Sequence, residues 1–354
     1  MKLSDFDYSL PKESIAAFPP ADRPSARLLH IESNTGHFSH HTFRDLPDFL
    51  VPGDVLVLNN TKVLPARLFG CKETGGRVEA LLLKKKASGI ENSWEALIRP
   101  NRRVKKNSQI VFGKNGMSFE AEVLDEARPE SGKRLLRFKG DSVLEKMEKF
   151  GHMPLPPYLD RPDTEMDREL YQTVFAQKPG AVASPTAGLH FDEMLLDALR
   201  RKGIETVFVT LHVSYGTFRS IAAENPAEHR MEEEEFEVTE DASRKINRAL
   251  DEKRRVIACG TTSVRTLESS VDPETGRVRH QTGNTSLFIY PSYPFKIVQG
   301  LITNFHLPKS TLLLLVAAFL DDKGTGRDML FRAYNEAIRQ GYRFYSYGDA
   351  MVIL

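Results

Sequence analysis

The sequence predicts an α/β main domain carrying an inserted small antiparallel six-stranded β-barrel. Three observations carry this expectation. From about residue 180 onward, apolar strand patterns alternate with helix patterns, as in an open α/β sheet. Between residues 65 and 140, six short strand patterns follow one another between Gly, Asn and Ser turns, with no helix pattern among them. The net charge of +1 is also unevenly spread: residues 60–140 carry 18 Lys+Arg against 9 Asp+Glu, and the remainder 31 against 39. At 354 residues the chain favours two domains. We expect a discontinuous α/β domain over 1–64 and 141–354, and the basic barrel at 65–140.

The elements follow in order. Ala26–Glu32 and Gly36–His40 read as strands around the hairpin turn Ser33–Gly36. Asp54–Asn59 is an apolar strand after the Pro52-Gly53 turn. The barrel strands are expected at Ala66–Cys71, Arg77–Leu83, Trp94–Ile98, Gln109–Phe112, Phe119–Leu124 and Arg134–Phe138. A helix at Ser142–Phe150 leads into the Pro-rich stretch Gly151–Tyr158, which cannot be helical and marks re-entry into the main domain. A strand near Val182 precedes a helix over Phe191–Lys202, whose apolar positions 191, 194, 195, 198 and 199 share a face. Thr206–Leu211 is a strand, and Thr239 is placed to cap a helix over Glu240–Asp251. Arg255–Cys259, Ser286–Tyr290 and Ile297–Thr303 read as strands, and Lys309–Leu320 and Arg327–Gln340 as helices. The acidic run Glu232–Glu235 reads as a solvated surface.

Composition closes off several classes. The longest apolar run, Thr311–Leu320, is half the roughly 20 residues of a membrane helix, so no membrane partner is expected. Met1–Asp7 lacks the apolar stretch of a signal peptide, which suits a cytoplasmic location. Two cysteines, Cys71 and Cys259, make neither a disulfide framework nor a Cys-based zinc site. The ten histidines show no metal-ligand spacing, and no metal is expected. The Gly-rich dinucleotide turn, the P-loop and the nucleophile elbow are all missing.

Four polar windows close apolar runs: Ala183–Phe191, Leu211–Phe218, Gly260–Glu268 and Thr303–Thr311. Each offers Gly or small residues, hydroxyls and usually a His or a cation. Ligands of α/β sheets bind beyond the carboxyl ends of strands, so the windows point to one shared pocket for a polar ligand. Thr186 and Gly188 sit in a β–α turn that can aim N–H groups at a carboxylate, or that simply turns the chain. Gly216 and Thr217 belong to the second window. Gly260, Thr261, Thr262 and Ser263 precede a helix on which Arg265 and Glu268 form either a plain ion pair or a grip on a ribose or carboxylate. His190, His212 and His306 stand at strand ends, where one of them can titrate in the pocket or where each is hydrogen-bonded structure. Asp349 is a general base or a turn cap, and Tyr345 and Tyr347 line a purine pocket or fill core. On the barrel and its flanks, Lys62, Arg67, Arg99, Arg102 and Arg103 suit phosphate contact, with solvated surface as the plain alternative.

Taken together these windows, with Asn59–Arg67, Pro156–Tyr158, Tyr171–Thr173 and the closing Ser346–Met351, resemble the S-adenosylmethionine:tRNA ribosyltransferase-isomerase family of queuosine biosynthesis. The resemblance runs end to end. It implies transfer of the ribosyl part of S-adenosylmethionine to 7-aminomethyl-7-deazaguanine at the tRNA wobble position. The ribosyl isomerises to an epoxycyclopentanediol, giving epoxyqueuosine, and adenine and methionine leave. It further implies S-adenosylmethionine as cosubstrate with no permanently bound cofactor, and the anticodon stem-loop as the contact. A monomer is expected.

On this reading His190, His212, His306 and Asp349 handle protons. Thr186, Gly188, Gly216, Thr217, Gly260–Ser263 and Arg265 hold the cosubstrate. The chain departs from the family pattern at Ser214, Ser220 and Glu232, where Gly, Pro and His are usual. Two rivals are an S-adenosylmethionine-dependent tRNA methyltransferase and a non-catalytic RNA-binding protein. The first lacks its Gly-rich turn, and the second leaves the clustered hydroxyls and histidines without a task.

Overall fold

The computed structural model describes residues 1–354 apart from 87–89, 115–116, 126–131, 141, 219–220, 222 and 322–323. Among the described residues, seventeen strands are named in chain order. β1 (Arg27–Ile31), β2 (Phe38–Thr42), β3 (Val55–Asn59) and β4 (Thr61–Val63) precede the barrel. The barrel comprises β5 (Arg67–Lys72), β6 (Arg77–Lys85), β7 (Ser93–Arg99), β8 (Gln109–Lys114), β9 (Met117–Val123) and β10 (Lys133–Phe138). Then come β11 (Lys178–Ala181), β12 (Glu205–Leu211), β13 (Glu234–Val238), β14 (Val256–Cys259), β15 (Gln281–Thr285), β16 (Gly300–Asn304) and β17 (Ala350–Ile353).

Nine strands form one sheet in the order β15-β13-β12-β3-β14-β16-β17-β1-β2. Its centre, β12-β3-β14-β16, is all parallel. These central strands are apolar without alternation because both faces are covered. Val55 and Val57 of β3 enter one core and Leu56 and Leu58 the other. The helices Glu240–Asp251, Thr311–Phe319 and Gly326–Arg339 contribute to the first core, and Glu193–Arg201 to the second. The barrel closes in the order β10-β7-β6-β5-β8-β9 around its own core, in which Phe112, Phe119 and Phe138 meet. The six predicted strands match it to within a few residues at each end.

Several local expectations are met in detail. Thr239 accepts from the Ala242 amide at 3.2 Å, capping Glu240–Asp251. Others are corrected. The helix expected from Phe191 begins at Glu193, because the Asp192 carboxylate accepts from the Leu195 amide at 2.7 Å. Met194, placed on its apolar face, instead projects outward at 75% exposure. The strand expected at Ser286–Tyr290 lies earlier, at Gln281–Thr285. Beyond it the Leu287 amide and carbonyl are taken by the Thr285 hydroxyl and the Arg265 Nε–H rather than by a neighbouring strand. The strand expected from Ile297 starts at Gly300, since the amides of Lys296, Ile297 and Val298 donate to the Glu268 carboxylate. Cys71 and Cys259 are both unpaired.

The acidic run is not simply solvated. Glu234 is 2% exposed because β13 pairs with β12 and β15 and turns alternate residues inward. No helix among the described residues is long and apolar enough to cross a membrane.

Candidate active site

Asn59, Leu211, Cys259 and Asn304 end the four parallel central strands on one edge of the sheet, and a cleft opens there. Three of the four polar windows converge on it. Ser184 and Thr186 come from the loop after β11, Thr261 and Thr262 from the helix Thr261–Ser269, and Asn304 and His306 from the end of β16. The closing segment adds Tyr345 and Ser346. Among the described residues the lining has hydroxyls, an amide and an imidazole, but no carboxylate, lysine or arginine side chain.

Asn304 organises one wall. Its Oδ1 accepts from the Thr186 hydroxyl at 2.9 Å, and its Nδ2 donates to His190 Nε2 at 3.1 Å and to the Asp349 carbonyl at 3.3 Å. His190 therefore sits behind the cleft wall, against the Phe43 ring at 5.0 Å, and does not line the cleft. Burial pushes its pKa down to about 3, with Arg343 and Arg23 adding to the effect, so the imidazole is neutral. His306 does line the cleft. Its Nε2 lies 3.0 Å from the Thr303 hydroxyl, and its backbone is held by the Tyr334 and Tyr8 hydroxyls. Burial alone lowers its pKa to about 3.

The opposite wall is a helix start. Gly260 has φ +85°, a conformation that a side chain would strain, and leads into Thr261–Ser269. The first amides of that helix have no intrahelical partner and favour anionic or electron-rich groups. Asn59 locks the floor: its Nδ2 donates to Thr262 Oγ1 at 3.1 Å and to the Leu211 carbonyl at 3.0 Å. Ser263 instead turns back onto the Cys259 carbonyl at 2.7 Å and stays outside the cleft.

Arg265 and Glu268 do not pair with each other. Arg265 is buried and ion-paired to Glu234, and Glu268 caps the 296–298 amides. Desolvation raises the Glu268 pKa against the pull of those amides.

The remaining expected residues lie elsewhere. Both Asp349 oxygens accept backbone amides, Arg27 at 2.9 Å and Arg343 at 2.7 Å, so this carboxylate clamps two chain segments behind the cleft. Its pKa is raised, chiefly by desolvation. Gly188 packs where a Cβ would stand 2.8 Å from Phe175 Cζ, a packing role. Tyr347 is core, with its hydroxyl 3.2 Å from Asp167.

The window Leu211–Phe218 gives only Val213 to this cleft. His212 lines a neighbouring cleft between barrel and main sheet. Gly216 is also at that junction, where a Cβ would lie 2.8 Å from Glu232 Cδ. The Thr217 side chain and Ser220 are outside the described residues. Lys62, Arg99, Arg102 and Arg103 are exposed. Arg67 is half-buried at the seam, donating to the Leu155 carbonyl at 2.9 Å.

Sequence reasoning passed over Ser184, Asn304 and Ser346 as individual site residues, whereas Tyr345, expected to line a pocket or fill core, does line the cleft. Ser184 keeps a buried hydroxyl without a partner among the described residues. Tyr345 has φ +74°, and its ring packs edge-on against Tyr158 at 4.0 Å. Asn304 and Ser184 were legible as part of the windows. The backbone twist that turns Tyr345 into the cleft has no sequence signal.

The comparisons fit this geometry. A family model described as "Queuosine biosynthesis protein" matches residues 3–353. Proteins named S-adenosylmethionine:tRNA ribosyltransferase-isomerase are similar over the whole of both chains. The one from Desulfitobacterium hafniense is 49% identical over 356 aligned residues, and the one from Clostridioides difficile 46% over 355. A crystal structure of S-adenosylmethionine tRNA ribosyltransferase from Thermotoga maritima aligns with TM-score 0.55 and 34% identity, covering 99% of this chain and 100% of that one. With matches spanning the sheet, the barrel and the cleft alike, the chain belongs to the queuosine biosynthesis protein family.

Proposed function

We infer that the protein transfers and isomerises the ribosyl moiety of S-adenosylmethionine onto 7-aminomethyl-7-deazaguanine in tRNA, giving epoxyqueuosine and releasing adenine and methionine. The observation that carries this reading is the cleft at the carboxyl ends of the parallel strands, lined by hydroxyls, one amide and one imidazole. Full-length similarity to proteins named for that chemistry supports it.

The cleft suits a zwitterionic nucleoside. The amides at the start of Thr261–Ser269, with Thr261 and Thr262, meet a carboxylate or ribose hydroxyls. Tyr345 offers an aromatic face to the adenine or the sulfonium. His306 is the imidazole that reaches the reacting part. By its position in the lining it is placed to accept the proton from the carbon beside the sulfonium. His190 and Asn304 position that wall, and Asp349 positions the backbone behind it. Gly188, Ser263 and Arg265 support the cosubstrate through packing rather than contact. The exposed Lys62, Arg99, Arg102 and Arg103 meet the phosphates of the anticodon stem-loop.

The test is product analysis. Protein, S-adenosylmethionine and tRNA bearing the aminomethyl-deazaguanine should yield adenine and methionine, dependent on the modified tRNA. S-adenosylhomocysteine would mean methyl transfer and overturn the reading.

A further inference from the structure

The barrel–sheet cleft beside the candidate active site has a chemistry of its own. The two clefts share Val213, so ligands in them approach each other across one residue. The second cleft is walled by Glu232–Glu235 from the sheet edge and by Lys84, Lys85, Trp94, Glu95 and Lys133 from the barrel. Five glutamates face three lysines on this wall, and Glu232, Glu235, Glu95 and Glu234 are ion-paired with Lys133, Lys84, Lys86 and Arg265. A wall of ion-paired carboxylates is not the uniform cationic track that follows an RNA backbone. It suits a positively charged group or the N–H edge of a base, which a carboxylate accepts with two hydrogen bonds.

Local geometry is arranged around two of these groups. At Gly180 a Cβ would lie 2.7 Å from the His212 ring, so the imidazole lies directly on bare backbone. Its Nδ1 is 2.8 Å from the Thr61 hydroxyl, which leaves Nε2 with no hydrogen-bond partner among the described residues. At Gly216 a Cβ would lie 2.8 Å from Glu232 Cδ, so Glu232 too rests on bare backbone. Glu232 pairs with Lys133 at 3.1 Å, a partly exposed ion pair that a ligand cation can exchange. Trp94 lines the cleft, is 5% exposed, and keeps a buried indole N–H without an acceptor among the described residues.

We propose that this cleft receives the acceptor base of the RNA, a guanine-type nucleobase bearing a cationic amine, with the amine between Glu232 and His212 Nε2. The proposal rests on the ribosyl-transfer reading above and adds where the acceptor binds. An extruded base reaches such a pocket at a modest unstacking cost. The ammonium donates one N–H to the Glu232 carboxylate and another to His212 Nε2, which has no other partner among the described residues. Burial lowers the His212 pKa, opposed by Glu235 and Glu237 and assisted by Lys178 and Lys84, so the ring is neutral.

Trp94 is the chain's single tryptophan, so its emission reports on this cleft. The full-length protein is titrated with free 7-aminomethyl-7-deazaguanine, with 7-cyano-7-deazaguanine as the uncharged control. We expect a saturable change for the amine, at least about tenfold weaker binding for the nitrile, and about tenfold weaker amine binding in Glu232→Gln. S-adenosylmethionine affinity, measured by calorimetry, should stay unchanged in that variant, and S-adenosylmethionine should not displace the base. Equal binding of the two bases, displacement by S-adenosylmethionine, or a wild-type KM for tRNA in Glu232→Gln overturns the placement and leaves ribosyl transfer standing. Failure of the wild-type protein to release adenine overturns ribosyl transfer itself, whatever the base titration shows.

Discussion

The side-chain amide of Asn304 donates to His190 Nε2 at 3.1 Å while its carbonyl oxygen accepts from Thr186 at 2.9 Å. One residue at the end of a central strand thereby fixes a hydroxyl that faces the cleft and a histidine that does not. Asn304→Ala should leave both partners short of a buried hydrogen bond. The expected loss is about 1–3 kcal/mol of stability, with weaker S-adenosylmethionine binding. Urea unfolding and calorimetric titration check this, and unchanged binding in a folded variant would remove Asn304 from the site.

His306 is the imidazole of the candidate active site, so His306→Gln should keep cosubstrate affinity and lose turnover. A positioned acid–base group contributes about 10²–10⁴-fold. Adenine release at saturating tRNA measures kcat directly. A variant that turns over at the wild-type rate would exclude His306 from proton transfer.

Buried neutral histidines also make stability depend on pH. The pKa of His306 falls from its ordinary value of 6.5 to about 3 on folding, so below 6.5 the unfolded chain binds the proton that the native state refuses. The stabilisation is complete above about 6.5 and is lost as pH falls toward about 3, at about 1.4 kcal/mol per pH unit for one histidine. Unfolding midpoints of the wild type and His306→Gln, compared from about pH 7.5 down to about pH 5, should converge as pH falls. A gap that stays constant contradicts the assignment.

The buried pair Arg265–Glu234 ties the helix under the first cleft to the strand beside the second. Glu234→Gln leaves a buried guanidinium without its counter-charge, and a loss of about 3–5 kcal/mol is expected. Arg265→Met should cost a similar amount. The double substitution should cost less than the two single effects combined, because neither charge is then stranded. Additive losses in denaturant unfolding would mean that the pair is not coupled.

With the barrel and its flank on the tRNA phosphates, each of Arg99, Arg102 and Arg103 changed to Ala should weaken binding for every tRNA alike. The slope of log K against log salt should shrink by about 1 for each phosphate that is no longer neutralised. Filter binding between about 50 and 200 mM salt, the range over which such attraction fades, reads this out. An unchanged slope assigns these side chains to plain solvated surface.

The fold class and most of the elements were legible in the amino-acid order alone. The unbroken apolar run Val55–Leu58 declared a strand buried on both faces, and the evenly spaced short strands between Ala66 and Phe138 declared the barrel. Those signals are local, because burial on one face or two is written into the spacing of apolar residues. Which polar residues meet is settled in three dimensions. His190, His212 and His306 look alike in sequence, yet one lies behind the cleft, one in the neighbouring cleft and one in the lining. Glu234 looks like its exposed neighbours Glu233 and Glu235, but pairing of β13 with β12 turns it inward onto Arg265. Past a strand end the chain leaves the regular lattice, so the direction of each side chain depends on partners distant in sequence, such as Asn59 for Thr262 and Thr186 for Asn304. No local pattern carries that information.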